Sequence, residues 1–363
     1  MNAPFALMPG TWPAMPGLAD LSDPDECARI EAFLRAHPDA TPFHRPVWLQ
    51  AVARGTGNRA LALVERRHGA IVAYLPLNEV HSPVFGRLLA SAGFAVGGGL
   101  LTSDGADSEA VFDAVEELAL RRSCPAIELR GGVLPQAARA GWSLRTDSHC
   151  GFVTPLVADE EAQLAAIPRK QRAEVRKGLA NDFTVETGTA EQDRAAHYAV
   201  YAESVRNLGT PVFPRALFDA VLDGFGKDAD ILTVRHEGQP VASVLSIYHR
   251  GAVMPYWGGG TWAARQLRAN DRMYFELMLH ARKRGCTHFD FGRSKTGSGA
   301  WHFKRNWGFE PEPLSYASWT APGAEKRDAD PTSARHALQI AVWQHLPLAI
   351  ANRLGPFIAK GLG

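Results

Sequence analysis

The amino-acid sequence predicts a mixed α/β protein: two tandem copies of one unit, closed by a helical tail. Two observations carry this. The same succession occurs twice, over residues 61–130 and again over 230–291: a strand pair around a tight turn, an apolar run with a triple-glycine end, a helix and a further strand. Repetition on this scale marks a duplicated supersecondary unit. The length of 363 residues suits two domains of ordinary size, and 46% apolar residues suffice for two cores.

The elements follow in order. Residues 1–20, rich in Pro and Gly, read as a flexible arm. A helix is expected after Asp23, with Asp25 and Glu26 where carboxylates favour the positive end of the helix dipole. A second helix opens at His44–Leu49, with Pro46 near its first turn. Leu61–Glu65 and Ala70–Leu77 are strands around the His68-Gly69 turn, and another apolar run ends at Gly97–Gly99. Ser108–Arg122 has helical period, and Ala126–Arg130 is a short strand. In the second copy Asp230–Val234 and Pro240–Tyr248 pair around His236-Glu237-Gly238. Ala252–Trp257 runs into Gly258–Gly260, a helix spans about Arg272–Arg284, and Thr287–Phe291 closes the unit. The expected divisions are 21–155, 156–325 and a tail over 326–363.

Composition removes several function classes. A net charge of +1 provides no global field for nucleic acid, so no DNA partner is expected. Cys27, Cys124, Cys150 and Cys286 form no CxxC pair, which fits reduced thiols in a cytoplasmic protein. The thirteen histidines show no metal-ligand spacing, so no metal is expected. The N-terminus lacks a basic region followed by a long apolar core, and no apolar run is long enough to span a bilayer.

The most informative stretch is Phe289-Asp290-Phe291-Gly292-Arg293-Ser294-Lys295-Thr296-Gly297-Ser298-Gly299, continuing through Trp301-His302-Phe303-Lys304-Arg305-Asn306-Trp307-Gly308-Phe309. It reads as a buried strand, a glycine-rich turn carrying Arg293 and Lys295, and a short aromatic helix that includes Trp307 and returns Lys304 towards the turn. Turn amides with two cations make an anion site without a metal. An ordinary strand–helix connection with surface cations is the simpler alternative.

This order of elements resembles the C-terminal half of a GNAT acyltransferase domain. More closely, the chain resembles FemAB-type acyltransferases, and within them the branch found beside bacterial exosortase (PEP-CTERM) and exopolysaccharide loci. The residues that carry the likeness are Asn207–Pro214, Pro255–Gly260, Ala269-Asn270-Asp271 and Phe289–Pro311. The resemblance covers roughly residues 40–320 and is loosest in the N-terminal half.

The resemblance implies a twin-GNAT fold and acyl or aminoacyl transfer to an amine or hydroxyl of an anionic envelope or glycan precursor. It implies no permanently bound cofactor. The acyl donor is then a co-substrate: acyl-CoA, acyl carrier protein or aminoacyl-tRNA. The usual pyrophosphate signature is absent from the loop before Asn270, which counts against ordinary coenzyme A binding. Lys304, in a Phe-Lys pair, is implied to stabilise developing negative charge. Asp290 accepts a proton or pairs with a neighbouring cation. Tyr256 contacts the donor or packs. Asn270 binds substrate or caps the following helix. His302 is another possible base or a packed residue. Pro255, lacking an N–H, marks either a splayed strand or a plain edge.

Two further segments are suggestive. Arg169, Arg172 and Arg176 share one helical face, with Gly178 as a possible cap. This face binds an anionic substrate or is merely solvated. From Pro331 to Gly363 there is no acid, and Arg335, Arg353 and Lys360 lie among apolar residues. The tail either contacts the inner membrane peripherally or packs on the second unit. The competing reading of the whole chain is a non-catalytic binding module in an exopolysaccharide assembly complex.

Overall fold

The computed structural model describes residues 15–83, 85–327 and 337–363. In chain order the first half comprises β1 (Gly17–Leu18), α1 (Pro24–Ala36), α2 (Pro46–Thr56), β2 (Arg59–Arg67), β3 (Ala70–Ser82), β4 (Gly86–Ser91), β5 (Leu101–Thr102), α3 (Ser108–Arg121), β6 (Ala126–Arg130), β7 (Trp142–Gly151) and β8 (Val153–Pro155). The second half comprises α4 (Glu160–Ala166), α5 (Arg169–Leu179), β9 (Phe183–Gly188), α6 (Glu191–Asn207), α7 (Arg215–Phe225), β10 (Ala229–His236), β11 (Gln239–His249), β12 (Ala252–Gly260), α8 (Trp262–Leu267), α9 (Ala269–Lys283), β13 (His288–Asp290), β14 (Ser294–Lys295), α10 (Gly299–Asn306) and β15 (Glu312–Thr320). The tail carries α11 (Ala337–His345) and α12 (Leu348–Ala359).

Local chemistry sets many of these boundaries. The Asp23 side chain accepts the Asp25 N–H at the start of α1, and Asp107 accepts the Ala110 N–H in α3. Gly57, at φ 78°, ends α2 in a left-handed cap. Of the arm expected over 1–20, residues 1–14 lie outside the described residues, and Gly17–Leu18 pair with β2.

Two sheets result. The first runs β1-β2-β3-β4-β6-β15-β7-β14, with β5 on β3; the second runs β8-β13-β12-β11-β10-β9. Each contains a fork between two parallel strands. β4 and β6 pair only at Leu89↔Ile127 and Ala90↔Glu128. β12 and β13 pair only at Ala252↔His288 and Val253↔Phe289. β12 also carries a bulge at Tyr256, because Leu245 opposes Trp257 while Ser246 opposes Pro255. The protein is therefore two tandem GNAT-like units with a C-terminal helical tail.

The halves exchange strands across residue 155. β15 lies between β6 and β7 of the first sheet, and β8 pairs with β13 of the second. They also share a core in which Trp48 of α2 stacks on Trp257 of β12 at 5.9 Å.

The two glycine triplets differ. Gly258–Gly260 are strand residues opposite Ala242–Val244. Gly97–Gly99 lie in a loop beyond β4, where the chain has already turned through positive φ at Ala92 and Phe94. Gly99 is needed there because a Cβ would lie 1.8 Å from the Gly131 carbonyl oxygen.

The tail is tied to both units. Asn58 donates to the Lys360 carbonyl at 2.9 Å, Arg130 to the Gly363 carbonyl at 2.9 Å, and Arg206 to the Gln344 carbonyl at 3.1 Å. Pro347 caps α12, and Pro356 lies inside it without breaking it: α12 continues to Ala359. Arg335 lies outside the described residues. Among the described residues, no helix is long and apolar enough to cross a membrane.

Candidate functional site

The chain crosses from one sheet to the other between Phe289 and Ser294. Phe289 pairs with Thr154 in the second sheet, and Ser294 with Cys150 in the first. Strand alternation buries Phe289 and Phe291 on one side, 5.1 Å apart, and puts Asp290 on the other. Gly292, at φ 67°, allows the crossing turn. Asp290 Oδ1 accepts the Gly292 N–H at 2.8 Å.

Lys304 holds this crossing. It projects from α10 and is 8% exposed. Its Nζ donates to the Gly292 carbonyl at 3.2 Å and to the Arg293 carbonyl at 2.9 Å, over the rings of Phe152 and Phe291. Burial disfavours its charge more than Asp290 supports it, so its pKa falls to about 8. Burial likewise raises the Asp290 carboxyl against the pull of the Gly292 amide and of Lys304. Two titratable groups of opposite charge thus sit beside one loop, both pushed towards neutrality.

On the other side of the crossing lies a cavity of about 370 Å³. Its wall carries Arg130, Arg145, Arg293, Lys295, Lys326 and Arg327 against a single acid, Glu128. Sheet register explains the concentration. Tyr316 of β15 opposes Arg130 of β6 on one side and Arg145 of β7 on the other, so the three share a face. Arg130 binds Glu128 at 2.9 Å. Burial pushes the Glu128 carboxyl up, but Arg130, Arg293 and Arg327 together hold it at about 2.

Arg293 is sparsely partnered for a half-buried cation. Its guanidinium stacks over Tyr316 at 5.7 Å and makes one long hydrogen bond, 3.4 Å, to the Tyr316 hydroxyl. Among the described residues it has no carboxylate partner. A guanidinium offers five N–H donors, and leaving a partly buried charge unpaired is costly.

The other candidate residues are placed as follows. Tyr256 lies at the junction of the units, donates its hydroxyl to the Phe94 carbonyl and packs on Trp48 and Phe43. Burial raises its pKa, and the nearby Arg293 and Arg130 charges oppose this. Lys295 is exposed on β14 at the cavity. Trp307 is 3% exposed and packs among Tyr274, Phe291 and Phe303, joining α9 to α10.

The basic segment forms α5, continuous to Leu179, so Gly178 does not cap it. Gly178 instead lets α5 approach the α8–α9 connection, where a Cβ would lie 2.8 Å from the Arg268 carbonyl oxygen. Arg172 donates to the Ile167 and Ala165 carbonyls and so closes the end of α4. Arg169 and Arg176 are exposed. α5 runs from the Gly308 turn, where Pro168 touches it, to the start of α9, where Gln171 donates to Asp271 at 2.5 Å. The α9 N-terminus is therefore packed by α5. Asn270 lies against Gly260 with its Oδ1 buried and unpartnered.

No sequence motif marks Arg130, Arg145 or Tyr316. They come from three strands far apart in the chain and meet only through register.

The geometry accords with comparison to known proteins. Residues 167–305 match the acetyltransferase (GNAT) domain family. No curated protein matches the chain by sequence. Among solved structures, FemX superposes with a TM-score of 0.61 at 16% identity, over 80% of this chain and 95% of FemX. A tandem GNAT protein from the clavulanic acid biosynthesis pathway gives 0.57 at 12% identity, over 85% and 100%. The C-terminal domain of a putative lysylphosphatidylglycerol synthetase from Agrobacterium fabrum gives 0.54 at 13% identity, over 82% and 92%. At these identities the likeness is one of fold. The second half of the chain is thus similar to a GNAT domain over residues 167–305, and the first half repeats its forked sheet.

Proposed function

We propose that the protein is a FemAB-like N-acyltransferase that moves an acyl or aminoacyl group to an amine or hydroxyl of an anionic envelope or exopolysaccharide precursor. The observation that carries this is the continuity of two features. The loop whose carbonyls Lys304 holds also delivers Arg293, without a carboxylate partner, to a cavity dominated by cations. Catalytic group and anion site thus meet at one short crossing.

In the reaction, the acceptor nitrogen or oxygen bonds to the acyl carbon as the donor's C–S or C–O bond breaks. The acceptor loses one proton and the leaving thiolate or alkoxide gains one. Lys304 stabilises negative charge on the carbonyl oxygen or leaving group. Asp290, its pKa raised by burial, accepts the acceptor's proton. Arg293 and Lys295, with Arg145, hold the acceptor's phosphate or carboxylate. Arg172 and Trp307 act by packing. The resemblance of Phe289–Pro311 supports an exosortase- or exopolysaccharide-associated setting, with acyl-CoA, acyl carrier protein or aminoacyl-tRNA as donor.

The test is transfer of a labelled acyl group from each donor class to amine and hydroxyl acceptors bearing phosphate. Wild-type protein should label an acceptor, and Lys304→Met should not. One observation favours a second reading, the non-catalytic module: the aromatic cluster of Tyr274, Phe291, Phe303 and Trp307 fills the space between α9 and α10. Phosphate-bearing ligands that bind through Arg293 while no donor binds or reacts would select that reading.

A further inference from the structure

The tail helix α12 is inverted relative to an ordinary surface helix. Its small residues Ala351, Gly355 and Ala359 face inwards, and Gly355 packs against the Val212 backbone, where a Cβ would lie 2.9 Å from the amide nitrogen. Its large apolar residues face outwards: Ile350, Leu354 and Phe357 are 46%, 47% and 67% exposed. Their spacing of four and then three residues makes one face. Val342 of α11 and Leu208, at the end of α6, add exposed apolar surface nearby, where Gly209 abuts Ile340. Large contiguous apolar surface on a soluble domain marks a partner site.

The charges on this face identify the partner. Arg353 is exposed at the margin of this face, one turn before Phe357, and Lys360 lies over the Phe357 ring at 5.6 Å. Residues 337–363 contain no acid. Bulky apolar residues flanked by cations, without a carboxylate, complement an anionic lipid surface: the apolar groups enter the boundary and the cations stay at headgroup level.

We propose that the outer face of α11–α12 docks the protein on an anionic bilayer. The helix is anchored by its inner face whether or not lipid is present, so docking orders no new structure. Leu362 and Gly363, just beyond α12, line the cation cavity, so docking holds that cavity close to the lipid surface. The inference rests on the fold and on exposure, not on acyl transfer.

The experiment is flotation of the full chain with phosphatidylglycerol-containing vesicles and with phosphatidylcholine vesicles. Wild-type protein should float with the anionic vesicles only, and salt should weaken the association. The combined substitution Ile350→Ser, Leu354→Ser, Phe357→Ser should lower partitioning about ten-fold or more with an unchanged melt. Phe357→Trp supplies an independent signal: its emission should shift to the blue with anionic vesicles. The proposal is overturned if wild-type protein stays unbound, floats equally with neutral vesicles, or binds as before in the serine variant. It is also overturned if the Phe357→Trp emission is unchanged by vesicles, or shifts with protein concentration alone, which would make this face a contact between copies of the chain.

Discussion

Replacing Lys304 with Met separates catalysis from stability. The fall in its pKa from 10.5 to about 8 means that the folded protein disfavours the charged form by roughly 3 kcal/mol, at about 1.36 kcal/mol per pH unit. The variant sheds that penalty. It also strands the Gly292 and Arg293 carbonyls, at a cost of roughly 1–3 kcal/mol. The two terms nearly cancel, so Lys304→Met should melt within a few degrees of wild type at neutral pH. Turnover should nevertheless fall by about 10²–10³, the effect of deleting one charge-stabilising donor. The pH dependences of stability and activity then run in opposite directions. Between pH 8 and 10.5 the native state has lost the proton that the unfolded chain still binds. Wild-type stability relative to the variant therefore rises through that window. Activity that needs the cation declines above about pH 8. The assay is a kcat/KM profile from about pH 6 to pH 10, with melts at each pH. An alkaline limb that persists in Lys304→Met, or normal turnover by that variant, would refute the role.

Three further outcomes are expected. Arg293→Gln should raise the acceptor KM and flatten its salt dependence while leaving donor kinetics unchanged; an unaltered KM with lowered kcat would move Arg293 from binding to positioning. Arg172→Ala should lower the melting temperature by removing hydrogen bonds to the Ile167 and Ala165 carbonyls, whereas Arg169→Ala, exposed, should leave it unchanged; equal melts would show that the Arg172 contacts carry no stability. Removing residues 337–363 should destabilise the whole protein, because Asn58, Arg130 and Arg206 each lose a hydrogen bond to the tail; an unshifted melt would make the tail a loose appendage.

Much of the fold was legible because paired strands announce themselves locally. The hairpins around Gly69 and Gly238 have alternating apolar residues on both sides of a positive-φ turn, and both formed near their expected positions. β4, β7 and β15 were not legible. β7, Trp142–Gly151, is largely polar and exposed, and its position is fixed by β15 from the far end of the chain. The same cause limits the site. Lys304, Asp290 and Arg293 lie within one stretch, so spacing alone groups them. Arg145 and Tyr316 are drawn together by a register shift between β7 and β15, which no local pattern encodes. The basic face of α5 shows the converse. Helical spacing correctly put three arginines on one helix, but it carries no information about which nearby carbonyls would claim Arg172.

The exchange of strands has a mechanical consequence. With β15 woven between β6 and β7, and β8 at the edge of the second sheet, neither half retains a complete sheet when parted from the other. A proteolytic nick anywhere between Leu156 and Pro311 would leave two fragments still laced together by β-ladders, and releasing either would require unzipping a strand from the interior of its partner. Hinge opening between the units, a common way for two-lobed enzymes to admit substrate, is thereby suppressed. Access must come from loops and side chains around a frame that does not open, so the distance between the two forks is set when the chain folds.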